Sequence, residues 1–156
     1  KGDTMLKAKD IMTTDVITVK PSTTIEELSQ KLMKHNISGL PVVNNAGDLI
    51  GIVTENDLIS QNKRLHIPTV MRLFDAFIVL ESPGKIEKEM KKMTATTVDD
   101  ICSKKVITAA EDTSAEEIAT IMSEKKVHLI PVVQGKKILG IIGKMDLIKG
   151  ITKSKA

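Results

Sequence analysis

Aromatic side chains are nearly missing from this chain: Phe74 and Phe77 are the whole complement, with no Trp and no Tyr. That removes the stacking platforms on which single-stranded nucleic acids are held. A formal charge of +3 adds only a weak attraction for anions, so nucleic acid is not expected as a partner. One cysteine, Cys102, rules out an internal disulfide and a cysteine zinc cluster. His35, His66 and His128 are too few and too scattered to suggest a metal centre, and no nucleophile–His–acid set emerges, so an enzyme is not expected. Gly140-x-x-Gly143-Lys144 lacks the spacing of a P-loop and the Ser or Thr after its lysine. No apolar run approaches a bilayer's thickness and no signal-peptide pattern opens the chain, so no membrane is expected and the cytoplasm is the expected compartment. Lys1-Gly2-Asp3-Thr4, ahead of Met5, are expected to be an addition to the natural start.

What the chain does have is repetition. Asp10-Ile11-Met12 returns as Asp100-Ile101-Cys102, and Val16-Ile17-Thr18 as Val106-Ile107-Thr108. Ile37-Ser38-Gly39-Leu40-Pro41-Val42-Val43 returns as Val127-His128-Leu129-Ile130-Pro131-Val132-Val133, still 90 residues later. Gly51-Ile52-Val53-Thr54-Glu55-Asn56-Asp57 returns as Gly140-Ile141-Ile142-Gly143-Lys144-Met145-Asp146, now 89 residues later. One residue is therefore missing from a turn, where loops tolerate it and packed strands do not. A 156-residue chain buries a real core, whereas a single copy of about fifty residues is marginal alone. Cys102 takes the place of Met12 and is expected to be a small buried hydrophobe.

Each copy gives the same order of signals. A β-branched stretch, Val16–Val19 or Val106–Thr108, predicts a first strand. A helix start follows, with Thr23 or Thr24 as N-cap before a glutamate three residues on, and with Thr113–Glu116 or Ser114–Glu117 in the second copy. Ile25, Leu28, Leu32 and Met33 are spaced to face one side, as are Ala115, Ile118, Ala119 and Met122. Leu40–Val43 and Leu49–Val53 then read as an antiparallel hairpin, with the second copy returning through Ile138–Ile142. A last helix starts near Thr54 and near Gly143. The expected fold is thus α/β (α+β): two β-α-β-β-α repeats, residues 5–60 and 99–150, packed as a pseudo-two-fold pair. Extra helices are expected between them, over residues 61–98. Ile67–Leu80 is apolar on more than one face and asks for a cover, and the basic Lys85–Met93 segment reads as a solvated helix.

The strongest local pattern is strand–Gly51-x-x-Thr54-x-x-Asp57–helix. A helix N-terminus offers unpaired N–H groups and a positive dipole end to a phosphate. Thr54 could add a hydroxyl donor, and Asp57, an acceptor only, suits the two neighbouring hydroxyls of a ribose. The same Thr-x-x-Asp spacing is also a capping box, which needs no ligand. In the second copy Gly143 replaces Thr54 while Asp146 remains, and Lys144 stands where the first copy has Glu55. The second site should therefore favour phosphate more than the first.

Taken as a set, the repeat order, Ile37-Ser38-Gly39-Leu40-Pro41-Val42-Val43 and Gly51-Ile52-Val53-Thr54-Glu55-Asn56-Asp57-Leu58 resemble the CBS domain, named after cystathionine β-synthase. The tandem pair resembles a Bateman module from Asp10 to Ile148, apart from the middle helices. The resemblance implies a regulatory module that binds adenosine-containing ligands in clefts between the repeats. It gives Asp57 and Asp146 the ribose, Thr54 the phosphate side, and Thr18 and Thr108 the adenine pocket. Ile37, Ser38 and Gly39, with Val127, His128 and Leu129, match the segment that closes around base or phosphate. Gly143 departs from the pattern, and Lys144 could compensate. His128 reads either as a phosphate contact or as a strand-edge residue without a ligand. AMP, ADP or ATP leads the ligand expectation, and S-adenosylmethionine follows because Glu55 favours a less anionic ligand. The competing reading is an oligomerisation module with vestigial clefts. A homodimer is expected on either.

Overall fold

The computed structural model describes residues 5–64 and 96–154. The expectations for His66, Ile67–Leu80 and Lys85–Met93 fall outside the described residues. The described chain runs α1 (Ala8–Ile11), α2 (Ile25–His35), β1 (Gly39–Val43), β2 (Leu49–Thr54), α3 (Glu55–Arg64), α4 (Val98–Ile101), α5 (Ala115–Lys125), β3 (Leu129–Gln134), β4 (Lys137–Gly143) and α6 (Lys144–Ser154). Mixed helix and strand, with two small two-stranded sheets β1-β2 and β3-β4, is the fold class read from the pattern. No helix among the described residues is long and apolar enough to cross a membrane.

The chain divides into two compact units. One gathers residues up to Thr18 with Val43–Gly51 and Lys104–Ala156; the other gathers Val19–Val42 with Ile52–Ser103. Each unit joins the body of one repeat to the leading segment of the other. In the first unit Ala8 N–H donates to Thr113 O (2.7 Å), Lys9 N–H to Glu111 O (3.0 Å), and Ala115 N–H to Leu6 O (2.9 Å). In the second, Val98 N–H donates to Thr23 O (2.8 Å), Asp99 N–H to Pro21 O (3.0 Å), and Ile25 N–H to Thr96 O (3.2 Å). The same three bonds recur 90 residues apart.

Local chemistry explains the elements. Thr24 caps α2 by accepting from Glu27 N–H (3.1 Å), and Glu27 reaches back to Thr24 N–H (2.9 Å). The Thr24 N–H first, and then the Thr24 hydroxyl, which donates to the same carboxylate oxygen at 3.1 Å, hold the Glu27 carboxyl below the usual range. Ser114 caps α5 by accepting from Glu117 N–H (3.1 Å). Both helices end on a left-handed residue, Asn36 (φ 51°) and Lys126 (φ 55°), 90 positions apart. The hairpins turn on Gly47 (φ 85°) and Gly135 (φ 64°), a backbone region glycine enters without cost. β3 and β4 run antiparallel with Pro131 opposite Ile141 and a register shift between Val132 and Val133.

Ile25, Leu28 and Leu32 of α2 bury their side chains in the second unit, with Val19, Leu40, Val42, Val53 and Val98. Ala115, Ile118 and Met122 of α5 do so in the first, with Ala8, Ala109, Ile130, Val132, Ile142 and Leu147. Full burial of one of these Val, Leu, Ile or Met side chains contributes roughly 1.5–3 kcal/mol.

Three expectations are corrected. The first strand of each repeat shrinks to one parallel bridge, Val19 with Val42 and Ala109 with Val132, because only one residue aligns with the hairpin before the chain turns into its helix. Met33 points outward at 73% exposure, since Leu32 already fills that turn's inner face. Cys102 is half-buried rather than buried, because it is the C-cap residue of the short α4.

Candidate functional site

The two strand-to-helix turns carry the candidate chemistry. In the second unit Thr54 ends β2 and Asp57 sits one turn into α3. Asp57 Oδ2 accepts the Thr54 N–H at 2.8 Å and the Thr54 hydroxyl at 3.3 Å. Glu55 N–H, the first of the helix, donates to the Ser38 carbonyl at 2.8 Å. That bond ties the segment before β1 to the head of α3. Ile37 is half-buried, with its N–H on Leu32 O (3.1 Å), and Gly39 is buried at the strand start. The structure thus assembles Ser38, Thr54 and Asp57 as one group.

The first unit repeats the turn with one hydroxyl fewer. Asp146 Oδ2 accepts the Gly143 N–H at 2.8 Å. A Cβ added at Gly143 would meet Asp146 Oδ2 at 3.7 Å and Leu129 Cδ1 at 3.8 Å, ordinary contact, so the glycine is not demanded by space. Both aspartates therefore cap their helices, as the capping-box alternative requires. Each cap uses one carboxylate oxygen.

The second oxygens differ. The hydrogen bonds Asp57 accepts, among the described residues, fall on Oδ2 alone. Asp146 Oδ1 instead accepts the hydroxyl of Thr13 at 3.1 Å, from a residue 133 positions earlier. Thr13 is held there by two backbone bonds with Ile141, at 2.8 and 2.9 Å. No linear motif connects Thr13 to Asp146, so the sequence alone does not reveal this contact.

His128 and Lys144 come together in the first unit. They line a cavity of about 520 Å³, with Met122, Leu147 and Ile148 contributing its apolar wall and Lys126 a further cation. Lys126 was not singled out from the sequence; its only signal is that a lysine stands where the other copy has the turn-favouring Asn36. Asp146 and Thr108 are not among the residues lining this cavity. Val127 packs against the core of that unit. Thr108 is exposed just before the Ala109–Val132 bridge, and Thr18 is half-buried and belongs to the first unit. His35 is exposed. Among the described residues no group of three or more His, Cys, Asp or Glu is gathered to hold a metal ion.

The inosine-5′-monophosphate dehydrogenase of Methanocaldococcus jannaschii is 31% identical over 144 residues, which are 92% of this chain but 23% of that one. The chain thus spans about a quarter of that relative's length. Among solved structures, the CBS domain pair of protein MJ0100, in complex with 5′-methylthioadenosine and S-adenosyl-L-methionine, is 27% identical. It matches with a TM-score of 0.71 over 97% of this chain and 99% of that one. CBSX2 of Arabidopsis thaliana in complex with AMP shares the fold at 22% identity and TM-score 0.74, over 97% of this chain and 99% of that one. The family model for the CBS domain matches twice, at residues 8–63 and 98–153, so this chain belongs to the CBS-domain family and carries two copies of the domain.

Proposed function

We propose that this chain is a regulatory binding module for an adenosine-containing ligand rather than a catalyst. In this reading Asp57 and Asp146 each receive the vicinal hydroxyls of a ribose. The observation that carries it is the Asp57 carboxylate, fixed through Oδ2 by the Thr54 N–H at 2.8 Å, while among the described residues no hydrogen bond falls on Oδ1, which in this reading accepts from a ligand. An ionised carboxylate accepts through both oxygens, so capping and sugar binding are compatible. The bound adenosines of the MJ0100 pair, at 27% identity, support the same ligand class. Lys126, His128 and Lys144 around one cavity favour a phosphorylated ligand, AMP, ADP or ATP, on the first unit. Glu55 at the head of α3 makes the second unit friendlier to a ligand of less negative charge, S-adenosylmethionine included.

The test is thermal unfolding with AMP, ADP, ATP, S-adenosylmethionine and 5′-methylthioadenosine, with guanosine as control. A ligand at about one hundred times its Kd adds about 2.7 kcal/mol. At this chain length that raises Tm by roughly 5–10 °C. Unmoved melting curves across the whole panel overturn the proposal.

A specific observation favours a second reading, self-association. Met145 (60% exposed), Ile148 (52%) and Ile151 (38%) recur every three residues along α6. In this reading they meet a second copy of the chain in a homodimer. Sedimentation at tens of micromolar decides it, with a monomer as the overturning result.

A further inference from the structure

We infer that Thr13 is a positioning residue that weakens diol recognition at the Asp146 turn and so makes the two turns unequal. The inference rests on the adenosine reading above and adds a residue to it.

Thr13 lies on the segment after α1 and is carried to its place by β4. Its N–H donates to Ile141 O at 2.8 Å and its carbonyl accepts the Ile141 N–H at 2.9 Å. Met12, just before it, lies over Gly140: a Cβ on that glycine would meet the Met12 Sδ at 2.5 Å and Cγ at 2.7 Å. The absent side chain at 140 is what lets the segment approach so closely. Thr13 is β-branched, with few side-chain rotamers. From this footing its hydroxyl donates to Asp146 Oδ1 at 3.1 Å, while the Gly143 N–H donates to Oδ2 at 2.8 Å. Both oxygens of Asp146 thus carry a donor before any sugar arrives.

The second unit has the same backbone and a different outcome. Ser103 stands 90 residues after Thr13 and exchanges two backbone bonds with Ile52, each 2.9 Å. The carboxylate beside that pairing, Asp57, takes its hydrogen bonds on Oδ2 alone among the described residues. A ribose diol approaching Asp57 meets an oxygen on which, among the described residues, no hydrogen bond falls. A diol approaching Asp146 must share or displace the Thr13 hydroxyl. The leading segment that carries Thr13 therefore supplies an internal stand-in for a sugar hydroxyl at Asp146, and among the described residues no such donor reaches Asp57 Oδ1.

The test uses the full chain in an Asp57→Ala background, so that only the Asp146 turn keeps its carboxylate. Adenosine and 2′-deoxyadenosine are the probes, titrated by calorimetry. They share the base and differ by the hydroxyl that completes the diol. Thr13→Val, which keeps the shape and removes the donor, is expected to widen the adenosine preference over 2′-deoxyadenosine by about two- to tenfold, the span of one hydrogen bond. Thr13→Ser, which keeps the donor, is expected to stay at the parent ratio. Thr13→Ala replaces Val in the comparison if the Ile141 pairing is disturbed. An unchanged ratio, or an equal rise for both probes, overturns the role of Thr13 and leaves the adenosine reading standing. Failure of the wild-type protein to bind adenosine or any nucleotide of the panel overturns the adenosine reading and, with it, this inference.

Discussion

Lys137 Nζ lies 2.9 Å from Asp48 Oδ1, and its ammonium also donates to the Ala46 carbonyl, so the lysine that opens β4 clasps the turn before β2. Leu49 N–H donating to Lys136 O at 2.8 Å adds a backbone bond to the clasp. The lysine's hydrogen bond and charge, with a bond from Asn44, hold the Asp48 carboxyl below its ordinary range. A lowered folded-state value means that the clasp stabilises above the unfolded carboxylate value of about 4 and fades as pH falls through the lower folded value. We expect Asp48 to titrate below the ordinary carboxylate value in a carboxyl-detected NMR experiment, and Lys137→Met to raise it back toward that value. A carboxyl that ignores the substitution excludes the clasp.

Gly140 should not tolerate a side chain. The Met12 side chain could move aside, but the Thr13 carbonyl, 3.0 Å from a Cβ at 140, is fixed by its bond to Ile141. Gly140→Ala is expected to cost about 1–3 kcal/mol, the range for overpacking, read from chemical unfolding. Shortening the neighbour as well, in Met12→Ala, should recover only part of that, because the backbone contact remains.

Lys126 carries a conformational cost. A lysine at φ 55° occupies the left-handed region without the local side-chain bond available to Asn36. Lys126→Gly is expected to raise stability by about 0.5–1 kcal/mol, or roughly 1–4 °C in Tm. It should also weaken a phosphorylated ligand relative to adenosine. A melting point that falls on substitution contradicts the strain.

Asp57 caps α3, and in the proposed function it also receives a ribose; two substitutions divide these roles. Asp57→Ala removes both the cap and the acceptor, with a stability cost of about 0.5–2 kcal/mol. Asp57→Asn keeps one acceptor oxygen for the Thr54 N–H and loses the charge-assisted bonds to a diol. Asparagine is therefore expected to restore much of the melting point while ligand affinity stays low, by about 1.5–3 kcal/mol. If asparagine restores both together, the carboxylate is a helix cap and nothing more.

Much of this molecule could be read from its repetition. The hairpins, the α2 and α5 helices and their caps follow from apolar spacing, a Thr or Ser before the first turn, and a glycine in each turn. The helices α1 and α4 escaped because four residues show no period. Their sign was the carboxylate three residues on: Asp10 accepts the Lys7 N–H at 2.9 Å and Asp100 the Thr97 N–H at 2.8 Å. Asp57 stood out because glycine, hydroxyl and acid fall at fixed spacing, and Asp146 because its glycine and acid repeat that spacing. Thr13 did not, because its partner is reached only through the pairing with Ile141. Met33 misled because helical spacing defines a stripe but not its width.

The traded leading segments carry a lesson for anyone who divides this protein. Cutting between the copies would strand α1 away from Thr113 and α4 away from Thr23, leaving each half with a surplus arm and a bare flank. A lone copy would have to borrow that arm from an identical neighbour, so the covalent tether makes internal what separate copies would have to find by collision.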